Sequence, residues 1–281
     1  MRAVRAWELV ASGAQPTAVA RVCQISRQAI YQPPKRRPPE AGPGIPAPGD
    51  AAIAEIAEAY PTDGTRMVAA IASRELDEPV NRKRVQRIMR QHRLLQPVRG
   101  LDRRRRPGFF RVRRPGELWH MDMTKVWAAQ HGWVYLHAII DCCTREITAW
   151  TLDVRGRTDE AIACVDAAVL ERGVGADRLT LGTDNGSQFT SRRFRRHLTD
   201  RGITHRRGGY RDPESQAFIE SWFGQFNKRV AWRAEWETID QARRDITEYI
   251  DTYHHRPHSG LRYRTPAEVA QTWRTLNNQA T

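Results

Sequence analysis

Three acidic residues in a basic chain have the types and spacing for phosphoryl transfer. Asp122 lies within WHMDMT, Asp184 within TDNGSQF, and Glu220 follows Asp184 with 35 residues between them. Phosphoryl transfer needs charge neutralised on the attacking and leaving oxygens, and two divalent ions ~3.5–4 Å apart can clamp both. Mg²⁺ prefers hard oxygen ligands, chiefly carboxylates. A protein using this chemistry must bring acids together at one open edge. Each residue also has a plainer reading. Asp-Asn-Gly is ordinary turn chemistry, and a glutamate on a helix is commonly a surface residue.

The elements around these acids decide how far they can meet. ELWHMDMTKVW, GWVYLHAIIDCCT and EITAWTLDV predict three strands with short joints, hence an antiparallel meander. In the first, Met121 and Met123 point away from the face that carries Asp122. DEAIACVDAAVLER is an amphipathic helix, and RLTLGTDNG a fourth strand that ends at Asp184. SQFTSRRFRRHLTDRG predicts one helix with a glycine stop, and ITHRRG a fifth strand. Beyond Asp212–Pro213 the chain reads as mostly helical to about His254. There Ile219, Trp222, Phe223, Phe226 and Val230 form an apolar stripe. At ~100° per residue, Gln216, Glu220 and Asn227 share the flank of that stripe. The expected fold is α/β, a mixed five-stranded sheet with small helical units before it.

Those helical units occupy the N-terminal part. Residues 1–32 predict a helix-turn-helix-like unit: a helix over Ala3–Ala11, a second over Thr17–Cys23, and a third capped by Ser26 that exposes Arg27 and Gln28. Residues 33–49 are a Pro/Gly linker. Residues 50–97 form a second helical unit, in which Asn81 caps a helix with Val85, Ile88 and Met89 inward. Its other face carries Arg82, Lys83, Arg84, Arg87 and Arg90, suited to phosphates or simply to solvent. Residues 98–116, VRGLDRRRRPGFFRVRRPG, are an Arg-rich linker that includes Arg103, Arg104, Arg105 and Arg106. The catalytic segment spans 117–273, and 274–281 are a tail.

Composition agrees with a polyanionic partner. The 281 residues carry a formal net charge of +14 and a pI near 10.4, a balance that nucleic acid satisfies most often. No apolar run reaches the ~20 residues of a membrane span, and the first residues lack a leader's apolar stretch. Cys23, Cys142, Cys143 and Cys164 lack zinc-finger or CxxC spacing, so a reduced cytoplasmic protein with structural thiols is expected.

The motifs in order resemble a known family. WHMDMT, TDNGSQFTS and the spaced glutamate are similar to the D-D-35-E pattern of the retroviral-integrase superfamily. YPTDGTRMVAAI, RVQRIMRQHRLL and the C-terminal YHHRPHSGLRYRTPAEV resemble the OrfB transposases of the insertion sequence 3 family. The resemblance covers roughly residues 20–273. It implies a ribonuclease H-like catalytic domain and a DDE transposase that cuts and joins DNA at insertion-sequence ends. It also implies Asp122, Asp184 and Glu220 as metal ligands for two Mg²⁺ ions, with Mn²⁺ as a substitute. Double-stranded DNA, both element ends and target, would be the substrate, bound by a homo-oligomer. An upstream-frame protein or fusion is a further expected partner. Asn185 and Gln188 are candidates for positioning DNA, and Lys228 and Arg229 for contacting phosphates. This chain departs from the family at Ser215, Gln216 and Ala217, where Asp-Asn-Ala is common, and it lacks the integrases' zinc-binding module. A metal-dependent nuclease of the same fold and a non-catalytic DNA-binding regulator are the alternatives.

Overall fold

A computed structural model describes residues 2–26, 47–96, 112–173, 178–208 and 216–278, with side chains from residue 6 onward. The chain forms two compact units, 1–48 and 49–281. In the first, α1 (Arg2–Ala11) and α2 (Pro16–Cys23) pack through Ala6, Val19 and Ala20. The third helix expected there, with Arg27 and Gln28, lies outside the described residues, as do Arg103, Arg104, Arg105 and Arg106.

The second unit begins with α3 (Asp50–Ala59), α4 (Thr65–Glu75) and α5 (Arg82–Gln91). Their apolar stripes close one small core around Ile53, Val68, Val85 and Ile88. Asn81 caps α5 as its sequence requires, accepting from the Lys83 N–H at 2.8 Å.

The sheet follows. β1 (Leu118–Ala128), β2 (Gly132–Asp141) and β3 (Ile147–Asp153) form the antiparallel meander, while β4 (Thr180–Thr183) and β5 (Thr204–Arg207) add in parallel. The strand order is β3-β2-β1-β4-β5, the mixed five-stranded sheet expected. Alternation along β1 sorts its side chains onto two faces. Trp119 and Met121 pack with α6 (Thr158–Arg172) and α8 (Arg192–Asp200), and Met123 lies partly buried against the same cluster. Val126 and Ala128 pack with α9 (Ala217–Phe226) and α10 (Ile239–His254). α11 (Pro266–Asn278) closes the described chain.

Two helices depart from their sequence pattern. The expected single helix after Asp184 is broken at Ser191 into α7 (Ser187–Thr190) and α8. The Ser191 hydroxyl accepts from the Phe194 N–H at 3.1 Å, so it caps a new helix instead of continuing the old one. Helix α9 also stops at Phe226. Residues Asn227–Ala231 form a π-turn, sealed by the Trp232 N–H to the Asn227 carbonyl at 2.9 Å. The wider turn re-aims the side chains that follow it.

Candidate active site

β1 and β4 run side by side, with His120 opposite Gly182 as their last paired position. Asp122 and Asp184 each lie two residues further along, so parallel pairing carries both acids to the same end of the sheet. Asp122 is half-buried and Asp184 exposed. Each is oriented by a backbone donor. Asp122 Oδ1 accepts from the Met123 N–H at 2.7 Å, and Asp184 Oδ1 from the Gly186 N–H at 2.9 Å.

Glu220 comes from α9. Ile219, Trp222, Phe223 and Phe226 hold that helix on the sheet, which leaves Glu220 exposed on its flank. The height of the helix is set by a stack: Phe218 lies over His120 with ring centroids 5.8 Å apart and planes 21° apart. Gly182 also packs against His120, where an added Cβ would come 2.8 Å from the imidazole Cδ2. A side chain at 182 would therefore lift His120 and with it α9. Burial, then the nearby Arg145 and Arg206, push the His120 imidazole down to about 4, so it packs as a neutral ring.

The Asp122 carboxylate senses the other two. The Asp122 carboxyl is raised to about 6, first by burial, with Asp184 and Glu220 adding to the rise and the Met123 N–H opposing it. Burial first, and like charge after it, disfavour the ionised form. Among the described residues, no three His, Cys, Asp or Glu side chains converge tightly enough to hold a single ion. Asp122, Asp184 and Glu220 offer hard oxygen donors, the type that Mg²⁺ prefers.

Among the described residues, most of the expected DNA-contact residues are engaged or buried within the fold. Arg84 and Arg87 both bind Asp50, at 2.7 and 2.8 Å, so part of the cationic face of α5 is neutralised within its own unit. Arg82 and Lys228 are exposed. Arg229 pairs with Asp63 at 2.7 Å. Asn185 donates to the Gly208 carbonyl at 3.0 Å and ties its loop to the end of β5. Gln188 is buried beneath Gly186. Asp141 accepts from the N–H groups of Gly116, Cys143 and Thr144 and from the Trp119 indole, so it braces the fold.

The sequence assigns no role to His120, Arg145 and Asp63, and it places Gln216 only on the flank that carries Glu220. Strand alternation places His120 on the face of Asp122, a signal present in the sequence. Gln216 is buried just before α9. The other two depend on contacts between distant segments.

The family profile described as "Integrase core domain" matches residues 112–213, and a second of the same description matches 201–266. A profile described as "HTH-like domain" matches residues 49–102, the α3–α5 unit. The transposase for insertion sequence element IS904 of Lactococcus lactis is 29% identical over 161 residues, 57% of this chain and 63% of that protein. The chain thus spans less than two thirds of that relative. Transposase InsD for insertion element IS2 of Escherichia coli is 29% identical over 222 residues, 74% of this chain and 73% of its own. Among solved structures, the catalytic core domain of BIV integrase aligns with a TM-score of 0.44 at 20% identity, over 58% of this chain and 99% of that one.

Proposed function

We propose that the chain, which matches two integrase-core profiles and is similar to insertion-sequence transposases, is a DDE-type DNA transposase. It cuts DNA at the ends of an insertion sequence and joins the freed 3′-hydroxyl to a second phosphodiester. One observation carries this reading: two parallel strands bring Asp122 and Asp184 to one edge, where the charge of Glu220 also reaches Asp122.

Asp122, Asp184 and Glu220 would hold two divalent ions, Mg²⁺ or Mn²⁺, which when bound supply Lewis-acid activation of the attacking and leaving oxygens. The chain's own residues prepare that place. The Met123 and Gly186 N–H groups fix the two aspartates. The His120–Phe218 stack sets the reach of Glu220. Arg82, Lys228 and the arginine-rich segment supply phosphate contacts, and the α3–α5 unit supplies a further DNA-binding surface. The working form is a homo-oligomer on paired DNA ends, joined by or fused to an upstream-frame product, at the bacterial nucleoid in the cytoplasm. Among the described residues no helix is long and apolar enough to cross a membrane.

The test is substitution of the acids one at a time. Asp122→Asn, Asp184→Asn and Glu220→Gln should each abolish cleavage and joining while leaving duplex binding intact. Normal turnover by any of them would sink the assignment.

A further inference from the structure

A cavity of about 310 Å³ lies where the α3–α4 loop meets α9, α10 and the segment after α10. Three guanidinium groups line it, those of Arg145, Arg229 and Arg256, against a single carboxylate, Asp63. Asp63 is 5% exposed and is shared by Arg229 and Arg256. Arg145 is left over. It comes from the β2–β3 turn, its guanidinium lies 3.2 Å above the centre of the Phe218 ring, and its Nε and Nη1 are buried without a hydrogen-bond partner. A charged group withdrawn from water is normally paired, and burial pulls the Arg145 guanidinium below its ordinary range.

The other polar groups around Arg145 are mostly donors. His258 Nδ1 accepts from the Gly260 N–H at 3.1 Å. Its other ring nitrogen therefore carries the proton and donates. Burial pushes this imidazole down to about 4, so it does so as a neutral ring. The Arg256 Nε is buried without an acceptor, and the Ser221 and Ser259 hydroxyls complete the wall. A wall rich in donors, whose one carboxylate is already shared by two arginines, describes a receptor for an oxyanion.

We infer that this cavity binds a phosphate group of the DNA strand that enters the active site. Position supports DNA as the source. Arg145 stacks on Phe218, Phe218 stacks on His120, and His120 shares a strand face with Asp122. The β2 end next to Arg145 pairs with Trp119, three residues before Asp122, or about 10 Å at ~3.3 Å per residue. That is roughly three nucleotides of rise at ~3.4 Å each. The space suits one phosphate and its sugar, so a duplex would present a single phosphate at the mouth. The inference rests on the transposase reading for the identity of the strand, though not for the chemistry of the cavity.

The experiment uses the full chain and two probes. Thermal unfolding is followed against inorganic phosphate, with chloride at equal ionic strength as the control. Binding of a labelled duplex is followed against salt. Phosphate should raise the Tm of the wild-type chain and leave Arg145→Met unmoved. Without phosphate, Arg145→Met should melt no lower than wild type, because it removes a buried unpaired charge. For the duplex, Arg145→Met should lose on the order of ten-fold in affinity and reduce the slope of log K against log salt by roughly 0.9, one phosphate contact. Arg145→Lys keeps the charge without the fork and should respond to phosphate weakly. Equal phosphate responses in all three proteins would overturn the proposal, as would an unchanged salt slope in Arg145→Met. A phosphate response lost in Arg145→Met, with no duplex binding by wild type, would overturn DNA as the ligand's source and count against the transposase reading, while the oxyanion site stands.

Discussion

Asp122 carries an electrostatic cost in the candidate site. Its folded carboxyl titrates near 6, above its ordinary value of 3.8, so the metal-free fold binds this proton more tightly than the unfolded chain does. The linkage has a definite sign. The associated stability is fully present below pH 4 and is lost as pH rises through 6. At pH 7.5 without divalent metal, Asp122→Asn should therefore melt higher than wild type, by on the order of 2–3 kcal/mol. Near pH 4 the two should melt alike, and Mg²⁺ should raise the wild type more than the variant. Equal melting at both pH values would contradict the crowding of charge at this residue. The placement of Asp122 and Asp184 at one end of the sheet was legible because strand periodicity and a turn signal point to it. Glu220 was not legible from periodicity alone, since a flank position describes many surface glutamates. The ordered motifs singled it out. Arg145 gave no sequence signal, because its meaning lies in what it fails to pair with.

At the scale of elements, β4, β1 and α9 are held in register by one column of groups, Gly182, His120 and Phe218. His120 is 1% exposed, so its ring has little room to yield to a side chain at 182. Gly182→Ala should cost about 1–3 kcal/mol by overpacking and lower activity by displacing Glu220. Combined with His120→Ala, the loss should fall short of the sum of the single losses. Strict additivity would show that the column does not couple these elements. The strands and their order could be read from alternation and short joints. The break at Ser191 and the π-turn at Asn227–Ala231 could not. Both need competition between a local hydrogen bond and helix continuation, and the apolar pattern runs through each without a change of period. The π-turn matters most, since it carries Arg229, the partner of Asp63.

On the scale of the whole second unit, Asp63 joins the HTH-like segment to the integrase core through Arg229 and Arg256, and Arg74 meets Glu268 at 2.6 Å on the surface. The two links should differ in weight. Asp63→Asn strands two partly buried guanidiniums and should cost about 3–5 kcal/mol. Glu268→Gln breaks an exposed pair and should cost no more than about 1 kcal/mol. Chemical denaturation of both variants checks the contrast, and similar losses would contradict it. The net charge of +14 and the helical segments ahead of the core were visible in the sequence. The joining of the α3–α5 segment and the core into one compact unit was not, because Asp63 and its arginines are more than 160 positions apart.

The central claim is that the chain joins DNA as well as cutting it. The direct measurement is transfer of a labelled duplex, bearing the repeats that flank the gene, into a supercoiled plasmid. With Mg²⁺ or Mn²⁺ the wild-type chain should yield plasmid covalently carrying the label. Asp122→Asn, Asp184→Asn and Glu220→Gln should yield none, and chelation of the metal should abolish the product. Cleaved duplex without labelled plasmid would mark a nuclease, and labelled plasmid formed by any of the three variants would contradict the triad itself.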